Sequence, residues 1–386
     1  MFIGNPKADR LSQIRAWRSS LAISALAGLT AGLLAPSVAA AETKSFVISY
    51  FYDANWSDGK TDCPDGMNTS SIDFYRRDLL RLGLPKEKVE DALKDFPGEG
   101  GLAQPWVPLV MTRGNGKDNV YVNPTTAPDP GTKLVQSKFS YGFNLDGKVQ
   151  KGSFTEPTTN EAGVDNQLYR VMGCVRSYRG LPPPGRPSLA ENLWDVLRDV
   201  SPAWVISVTS PDSLSKDGDV TVTFERAVER ITRDASGAAA QADLTYQVDP
   251  DPRSRNVFKA KIKNGVVTTT DPVHFRVISD PYLMPEYDLA GARMRLEIKE
   301  NGTVRGVIGG YLPWRDFYYS VASQGHIKEY ATSIDVPALY YSLKRNADAD
   351  PDPKTKENRR ISSAYMIEAV RAFVVPPGGA KTADAR

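Results

Sequence analysis

The sequence has few of the residues that most metal and redox sites need. Only two cysteines and two histidines occur among its 386 residues. Two histidines cannot build a His-rich zinc or copper site. No Cys-x-x-Cys-His motif is present for covalent haem attachment, and no Gly-x-Ser-x-Gly motif for the nucleophile elbow of α/β-hydrolases. These absences exclude the catalytic classes that such motifs identify, and we assign no catalytic residue.

An excess of charge of one sign is also missing. The 48 Lys and Arg residues face 46 Asp and Glu residues, which gives a formal net charge of +2. Hydrophobic residues make up 41% of the chain and charged residues 24%, as in an average soluble globular protein. This balance argues against a protein whose main partner is nucleic acid or anionic lipid, so we expect no nucleic-acid partner.

The longest Leu- and Ala-rich run lies near the N terminus. Four basic residues within positions 1–20 precede an apolar run over 21–34, and small residues follow up to Ala41. This is the layout of a secretory signal peptide. The run is shorter than the roughly 20 residues of a membrane span. We predict a signal peptide over 1–41, a periplasmic or secreted protein, and no integral membrane span after cleavage. Removing four basic residues and one acidic residue leaves 44 and 45, so the mature chain is formally −1.

Export changes the interpretation of the two cysteines. Cys63 and Cys174 both lie in the predicted mature chain, and an oxidising compartment favours joining them. The resulting loop of about 110 residues stabilises the fold by about 4–5 kcal/mol in the chain-entropy model. We therefore predict a disulfide between them.

Short β-branched and aromatic segments separated by turn residues dominate the second half of the chain. They lie at 205–208, 220–224, 244–248, 257–262, 274–278, 294–298 and 304–308. Few helical intervals separate them, which argues against a parallel, doubly wound fold. We predict a β-rich α+β fold with an antiparallel β-sandwich or jelly-roll-like core and a few peripheral helices.

The predicted organisation has three parts after the signal peptide. Residues 42–205 are a mixed loop and helix region with an N-terminal strand over 44–52. Residues 206–375 are the sandwich core, with one helix and a C-terminal strand, and the two parts could form one unit. Residues 376–386, rich in Pro, Gly and Ala, are a disordered tail.

Helix signals are few and local. Ser70 or Ser71 can cap a helix that ends at Gly83, and Pro85 can start a second one. A capping box at 188–191 predicts a third helix. A further helix is predicted over 336–345, where a proline stands in the first turn and basic residues in the last.

Two acidic loops are candidates for Ca²⁺ binding. Asp348, Asp350 and Asp352 place carboxylates on alternate residues, as the first half of an EF-hand loop does. The other loop offers Asp53, Asn55, Asp58 and Asp62 beside the predicted disulfide. The alternative for the first loop is a solvated connector, and for the second a turn whose polar side chains bind the local backbone.

Aromatic residues provide the remaining candidate ligand site. Tyr311, Trp314, Tyr318, Tyr319 and His326 lie close together in the sequence. Exposed aromatic rings bind sugars or apolar ligands by stacking, whereas buried ones are ordinary core packing. Both interpretations stay open at this stage.

Two functions from different classes fit these observations. The first is an exported, non-catalytic binding or scaffold protein that presents an aromatic-rich face to a glycan or to an exported protein partner. The second is a hydrolase or lyase acting on an extracellular polymer, with carboxylates and His326 or Tyr318 in a cleft. We favour the first because the recognised catalytic signatures fail.

Overall fold

The computed structural model describes most of the chain after the predicted leader. The described residues are 41–59, 61–98, 104–179, 186–187, 200–278, 284 and 286–378. Three predictions fall outside them in whole or in large part: the signal peptide, the helix that begins at 188–191 and the C-terminal tail. All of the described residues belong to one compact unit.

Strands form most of the described structure. In chain order they are β1 (Glu42–Asp53), β2 (Phe154–Thr155), β3 (Ala162–Val164), β4 (Pro202–Ser210), β5 (Gly218–Arg230), β6 (Thr245–Gln247), β7 (Asn256–Lys263), β8 (Val266–Thr269), β9 (Val273–Ile278), β10 (Glu286–Ile298), β11 (Thr303–Pro313), β12 (Ala349–Pro351) and β13 (Asn358–Val375). The strands predicted from β-branched and aromatic runs are confirmed.

Eight of these strands close into an antiparallel barrel. Their order is β1, β4, β5, β7, β8, β10, β11 and β13, and β13 pairs back onto β1. The spatial order follows the chain order, so the barrel is an up-and-down meander. The remaining strands are additions: β12 and β6 pair with β13, β9 pairs with β10, and β2 pairs with β3.

The predicted β-sandwich or jelly-roll-like core is therefore wrong, although the β-rich character is confirmed. A sandwich keeps two separate sheets with free edges, whereas here the first and last barrel strands hydrogen-bond to each other from Ser45 opposite Ala372 to Asp53 opposite Tyr365. Sandwich and barrel strands share the same alternation of apolar and polar residues. Only the pairing of β1 with β13, more than 300 residues apart, distinguishes them.

Strand alternation fills the barrel interior with apolar side chains. Residues of β7 alternate strictly between buried and exposed, with Phe258, Ala260 and Ile262 pointing inward. Each large apolar side chain buried in this way stabilises the fold by about 1.5–3 kcal/mol. Helical residues such as Leu79 and Leu339 belong to the same apolar cluster, so the helices pack against the barrel core.

The helices surround the barrel end at which β1 and β11 finish. They are α1 (Ser71–Arg81), α2 (Lys86–Leu93), α3 (Trp106–Met111), α4 (Gln167–Met172), α5 (Trp314–Ala322), α6 (Gly325–Thr332) and α7 (Val336–Asn346). The predictions of α1, α2 and α7 are confirmed, whereas α3, α4, α5 and α6 were not predicted. Among the described residues, no helix is both long and apolar enough to span a membrane.

A bulge in β1 determines which of its side chains enter the barrel. The pairing with β13 shifts between Ile48 and Tyr50, so Ser49 is an extra residue. Ile48 and Phe51 therefore share the inward face, although strict alternation would put them on opposite faces. Asp53, two residues after Phe51, also faces the interior.

Candidate functional site

A buried ion pair anchors helix α6 over the barrel end. Nη2 of Arg113 donates to Oε1 of Glu329 at 2.5 Å, and both side chains are fully buried. Tyr75 and Tyr121 donate their hydroxyls to Oε2 of Glu329 at 2.9 and 2.6 Å, and the backbone N–H of Val336 donates to Oε1 at 2.8 Å. Burial raises the pKa of Glu329 and the Arg113 guanidinium opposes that rise. These bonds fix the helix on which Lys328 lies.

Five polar side chains meet beneath this helix, and we call them the barrel-end cluster: Asp53, Tyr178, Tyr287, Lys328 and Tyr365. Asp53 of β1 lies directly opposite Tyr365 of β13, and both face inward. Tyr287 comes from β10, Tyr178 from the short helical turn Arg176–Tyr178, and Lys328 from α6. Five separate segments of the chain thus bring ionisable groups to one place.

The cluster contains polar atoms without partners. Oδ1 of Asp53 and the hydroxyl of Tyr365 are fully buried and accept or donate no hydrogen bond among the described residues. Lys328 is 5% exposed, and its ammonium forms no hydrogen bond or ion pair with any described residue. Buried polar groups normally have a partner. This arrangement therefore has unused donors and acceptors at the helix-covered end of the barrel.

Electrostatics couples the members of the cluster. Burial raises the pKa of Asp53 to about 7, and the Lys328 charge opposes that rise. Burial lowers the pKa of Lys328 to about 8, and Asp53 opposes that change. Burial also raises the pKa of Tyr178, Tyr287 and Tyr365, and the nearby Asp53 carboxylate raises each further. Perturbed carboxyl and amine groups in one place are typical of functional sites.

Aromatic rings form the apolar side of the cluster. The Phe51 ring stacks on Tyr365 at 5.2 Å between centroids and meets Tyr287 and Trp204 edge-on at 5.2 and 5.0 Å. Tyr287 and Tyr365 are themselves 5.3 Å apart. The site thus combines charged and hydroxyl groups with an aromatic wall, the composition of pockets that bind small molecules.

The structure separates the aromatic residues predicted to bind a ligand. Trp314 and Tyr318 are each 2% exposed, and they bond to the backbone oxygens of Asn358 and Tyr121. Tyr319, in contrast, is 56% exposed on the same helix. The buried pair offers no surface on which a sugar ring could stack.

Two further residues of that predicted face also lie apart. Tyr311 is partly buried at the end of β11, and burial raises its pKa. His326 is buried on α6 against the Trp106 ring, with centroids 5.5 Å apart, and burial lowers its pKa. Nε2 of His326 has no hydrogen-bond partner among the described residues.

The side chains of the acidic loop over 53–62 form several separate local hydrogen bonds and ion pairs. Asp53 belongs to the barrel-end cluster, and Asn55 donates to the Tyr178 backbone oxygen at 2.7 Å. Asp58 accepts from the backbone N–H of Thr61, and Asp62 pairs with Arg179. The predicted disulfide between the neighbouring cysteines, Cys63 and Cys174, is confirmed, with Cα atoms 5.8 Å apart.

The side chains of the acidic loop over 348–352 are also hydrogen-bonded or ion-paired. Both carboxylate oxygens of Asp348 accept from Ser362, at 2.7 Å from its N–H and 2.6 Å from its hydroxyl. Asp350 pairs with Arg359 at 2.7 Å, and Asp352 accepts from two backbone N–H groups. In the part of the chain that the structure describes, no three His, Cys, Asp or Glu side chains group as metal ligands. Nothing there supports the Ca²⁺ prediction.

Sequence reasoning missed four of the five residues of the barrel-end cluster. Lys328 lies in a polar segment with no apolar periodicity, and Tyr178 in a loop rich in arginine. Tyr287 lies in the loop predicted between the strands at 274–278 and 294–298, and Tyr365 in the predicted C-terminal strand, and neither position indicated a site. Asp53 was singled out, but as a loop ligand for a cation. Its position at the end of an apolar strand signalled that it lies near the core, but strict alternation from Ile48 gave no signal that it faces inward.

Comparison with known proteins adds no further information about the site. No family model, no curated protein and no solved structure matches the chain.

Proposed function

We propose that the protein is a non-catalytic binding protein that holds a small molecule at the helix-covered end of its barrel. The observation that supports this function is the pair of fully buried, unpartnered oxygens of Asp53 and Tyr365 next to the unpaired ammonium of Lys328. The interior of an eight-stranded barrel can be filled by side chains or can hold one small ligand. Here apolar side chains fill it, so the proposed ligand lies at the helix-covered end, where the polar cluster begins.

The chemistry of the cluster limits the class of ligand. An acceptor group, such as a carboxylate, would satisfy the Lys328 ammonium and the Tyr365 hydroxyl. A hydroxyl donor would satisfy Oδ1 of Asp53, and an aromatic or other apolar body would pack against Phe51 and Tyr287. A hydroxylated aromatic acid has all three features.

Titration with two probes tests the proposal. Calorimetry uses 4-hydroxybenzoate, a small hydroxylated aromatic acid, and fluorescence uses 8-anilinonaphthalene-1-sulfonate, a larger aromatic acid whose N–H replaces the hydroxyl as donor. We expect saturable binding of one equivalent of at least one probe, weakened about tenfold or more by Lys328→Met, which corresponds to about 1.4 kcal/mol. Met keeps the apolar length of the side chain, so the variant should fold at least as stably as the wild type.

A matched control separates the site from general charge effects. Lys344 is a surface lysine on α7 that pairs with Glu357 at 2.9 Å. Lys344→Met removes the same charge and should leave probe binding unchanged. Absence of saturable binding by both probes, or equal weakening by the two variants, would contradict the proposed function.

We also propose that the mature protein works in an oxidising, exported compartment. The Cys63–Cys174 disulfide supports this location, because such bonds persist outside the reducing cytosol. The layout of residues 1–41 agrees with it. N-terminal sequencing of the protein from the exported fraction should begin at Glu42, and a chain that stays in the cytosol with its leader intact would refute the proposal.

A further inference from the structure

A row of side chains crosses the outer face of the barrel. Arg305 of β11 lies directly opposite Glu297 of β10 on one side and Glu368 of β13 on the other. Glu368 is in turn opposite Tyr50 of β1. Directly opposed residues share one face of a sheet, with Cβ atoms about 4.5–5.5 Å apart. The row therefore places a cation between two carboxylates on the outside of the barrel.

Two clefts on this face share Arg305. One has a volume of about 510 Å³ and extends to Arg186 and Lys299. The other has a volume of about 400 Å³ and extends to Glu156 and Glu297. Both volumes lie within the range of ligand-binding clefts, roughly 300–1,000 Å³. The shared arginine makes the two clefts neighbours along one surface.

Arg305 is the cation that both clefts share and that is available to a ligand. Arg186 is already occupied, since its Nε and Nη2 donate to Oε2 of Glu368 at 3.1 and 3.0 Å. Arg295, in the second cleft, pairs with Glu156 at 2.8 Å. No described residue forms a hydrogen bond or ion pair with the Arg305 guanidinium. An anionic group could therefore take its planar donors without displacing a protein partner.

We propose that these two clefts bind an acidic oligosaccharide, a short chain of uronic acids with one carboxylate on Arg305. Two clefts in succession suit a chain of rings better than a single small anion. Glu297 and Glu368 repel a densely charged polyphosphate or nucleic acid, but carboxylates accept hydrogen bonds from sugar hydroxyls. A uronic acid offers both the carboxylate and the hydroxyls. This site is separate from the barrel-end cluster, because its side chains point away from the interior.

Calorimetry with defined tetrasaccharides tests this site. The probes are the tetramers of galacturonate, mannuronate and glucuronate, with neutral maltotetraose and tripolyphosphate as comparisons. We expect at least one uronate tetramer to bind at least tenfold more tightly than maltotetraose and tripolyphosphate. Arg305→Gln should weaken that binding at least tenfold, and added salt should weaken it as well, because the contact is exposed.

Two further variants test whether binding depends on the planar donors of Arg305 and not on surface charge in general. Arg305→Lys keeps the charge but loses the planar donors, so it should bind with intermediate affinity. Arg359→Gln removes an exposed arginine outside both clefts and should leave binding unchanged. Thermal unfolding checks that each variant is folded. Failure of all three uronate tetramers to bind, tighter binding of tripolyphosphate, or full affinity in folded Arg305→Gln would each overturn the proposal.

Discussion

Replacing Arg113 by Met removes the only cation that contacts the fully buried carboxylate of Glu329 within the described residues. The guanidinium also lies 3.3 Å from Asp78 and 3.7 Å from Asp335, which keep Arg77 as a partner. Glu329 keeps only its neutral donors. Breaking a buried pair in this way costs about 3–5 kcal/mol, because the remaining charge is desolvated without compensation.

Urea unfolding measures this loss as a lower midpoint with an unchanged slope. The exposed pair of Arg359 and Asp350 serves as the matched control, and Arg359→Gln should cost no more than about 1 kcal/mol. The double variant Arg113→Met with Glu329→Gln should recover part of the loss, because the unpaired charge is gone.

The pH dependence of the variant gives a second, independent check. Without Arg113 the folded-state pKa of Glu329 rises further above its unfolded value, so protonation at acid pH relieves the penalty. The loss caused by Arg113→Met should therefore shrink as the pH falls from 8 to 5. A loss below about 1 kcal/mol, or a larger loss that does not change with pH, would refute the reasoning.

Two further predictions concern the disulfide and Asp53. Replacing both Cys63 and Cys174 by Ser opens a loop of 111 residues and should lower the free energy of unfolding by about 4–5 kcal/mol. Urea unfolding measures this loss, and an unchanged urea midpoint would contradict the chain-entropy account of the disulfide. The folded-state pKa of Asp53 is about 7 against a usual 3.8, so the folded protein binds the extra proton between these values. The free energy of unfolding of the wild type should therefore fall relative to that of Asp53→Asn as the pH rises from about 4 to 7, and the difference should stay constant above pH 7. Urea unfolding of both proteins across this range measures it. Parallel pH profiles of the two proteins would contradict the prediction and show that Asp53 is solvated.

Local structure was predictable to a large extent because it depends on local patterns. The alternation in 257–262 and the proline at the start of α7 were sufficient to predict β7 and that helix. Closure of the barrel was not predictable, because it depends on hydrogen bonds between β1 and β13, and no local pattern encodes that pairing.

The barrel-end cluster shows the same limit at the level of single residues. Strict alternation from Ile48 would turn Asp53 away from the interior, and the extra residue Ser49 reverses that. Lys328 faces the cluster because Glu329, its neighbour, is held by Arg113 from the turn that follows α3. Trp314 and Tyr318 show that aromatic residues grouped in the sequence need not form a binding surface, because both side chains are buried in the core.

A crystal structure of the purified protein with 4-hydroxybenzoate tests the central claim most directly. The proposed function predicts electron density for the probe in the barrel-end cluster, with its carboxylate on Lys328 and its hydroxyl donating to Oδ1 of Asp53. Ordered water molecules alone on Asp53, Lys328 and Tyr365, with the probe absent or bound elsewhere, would contradict it and would make the cluster a hydrated structural element.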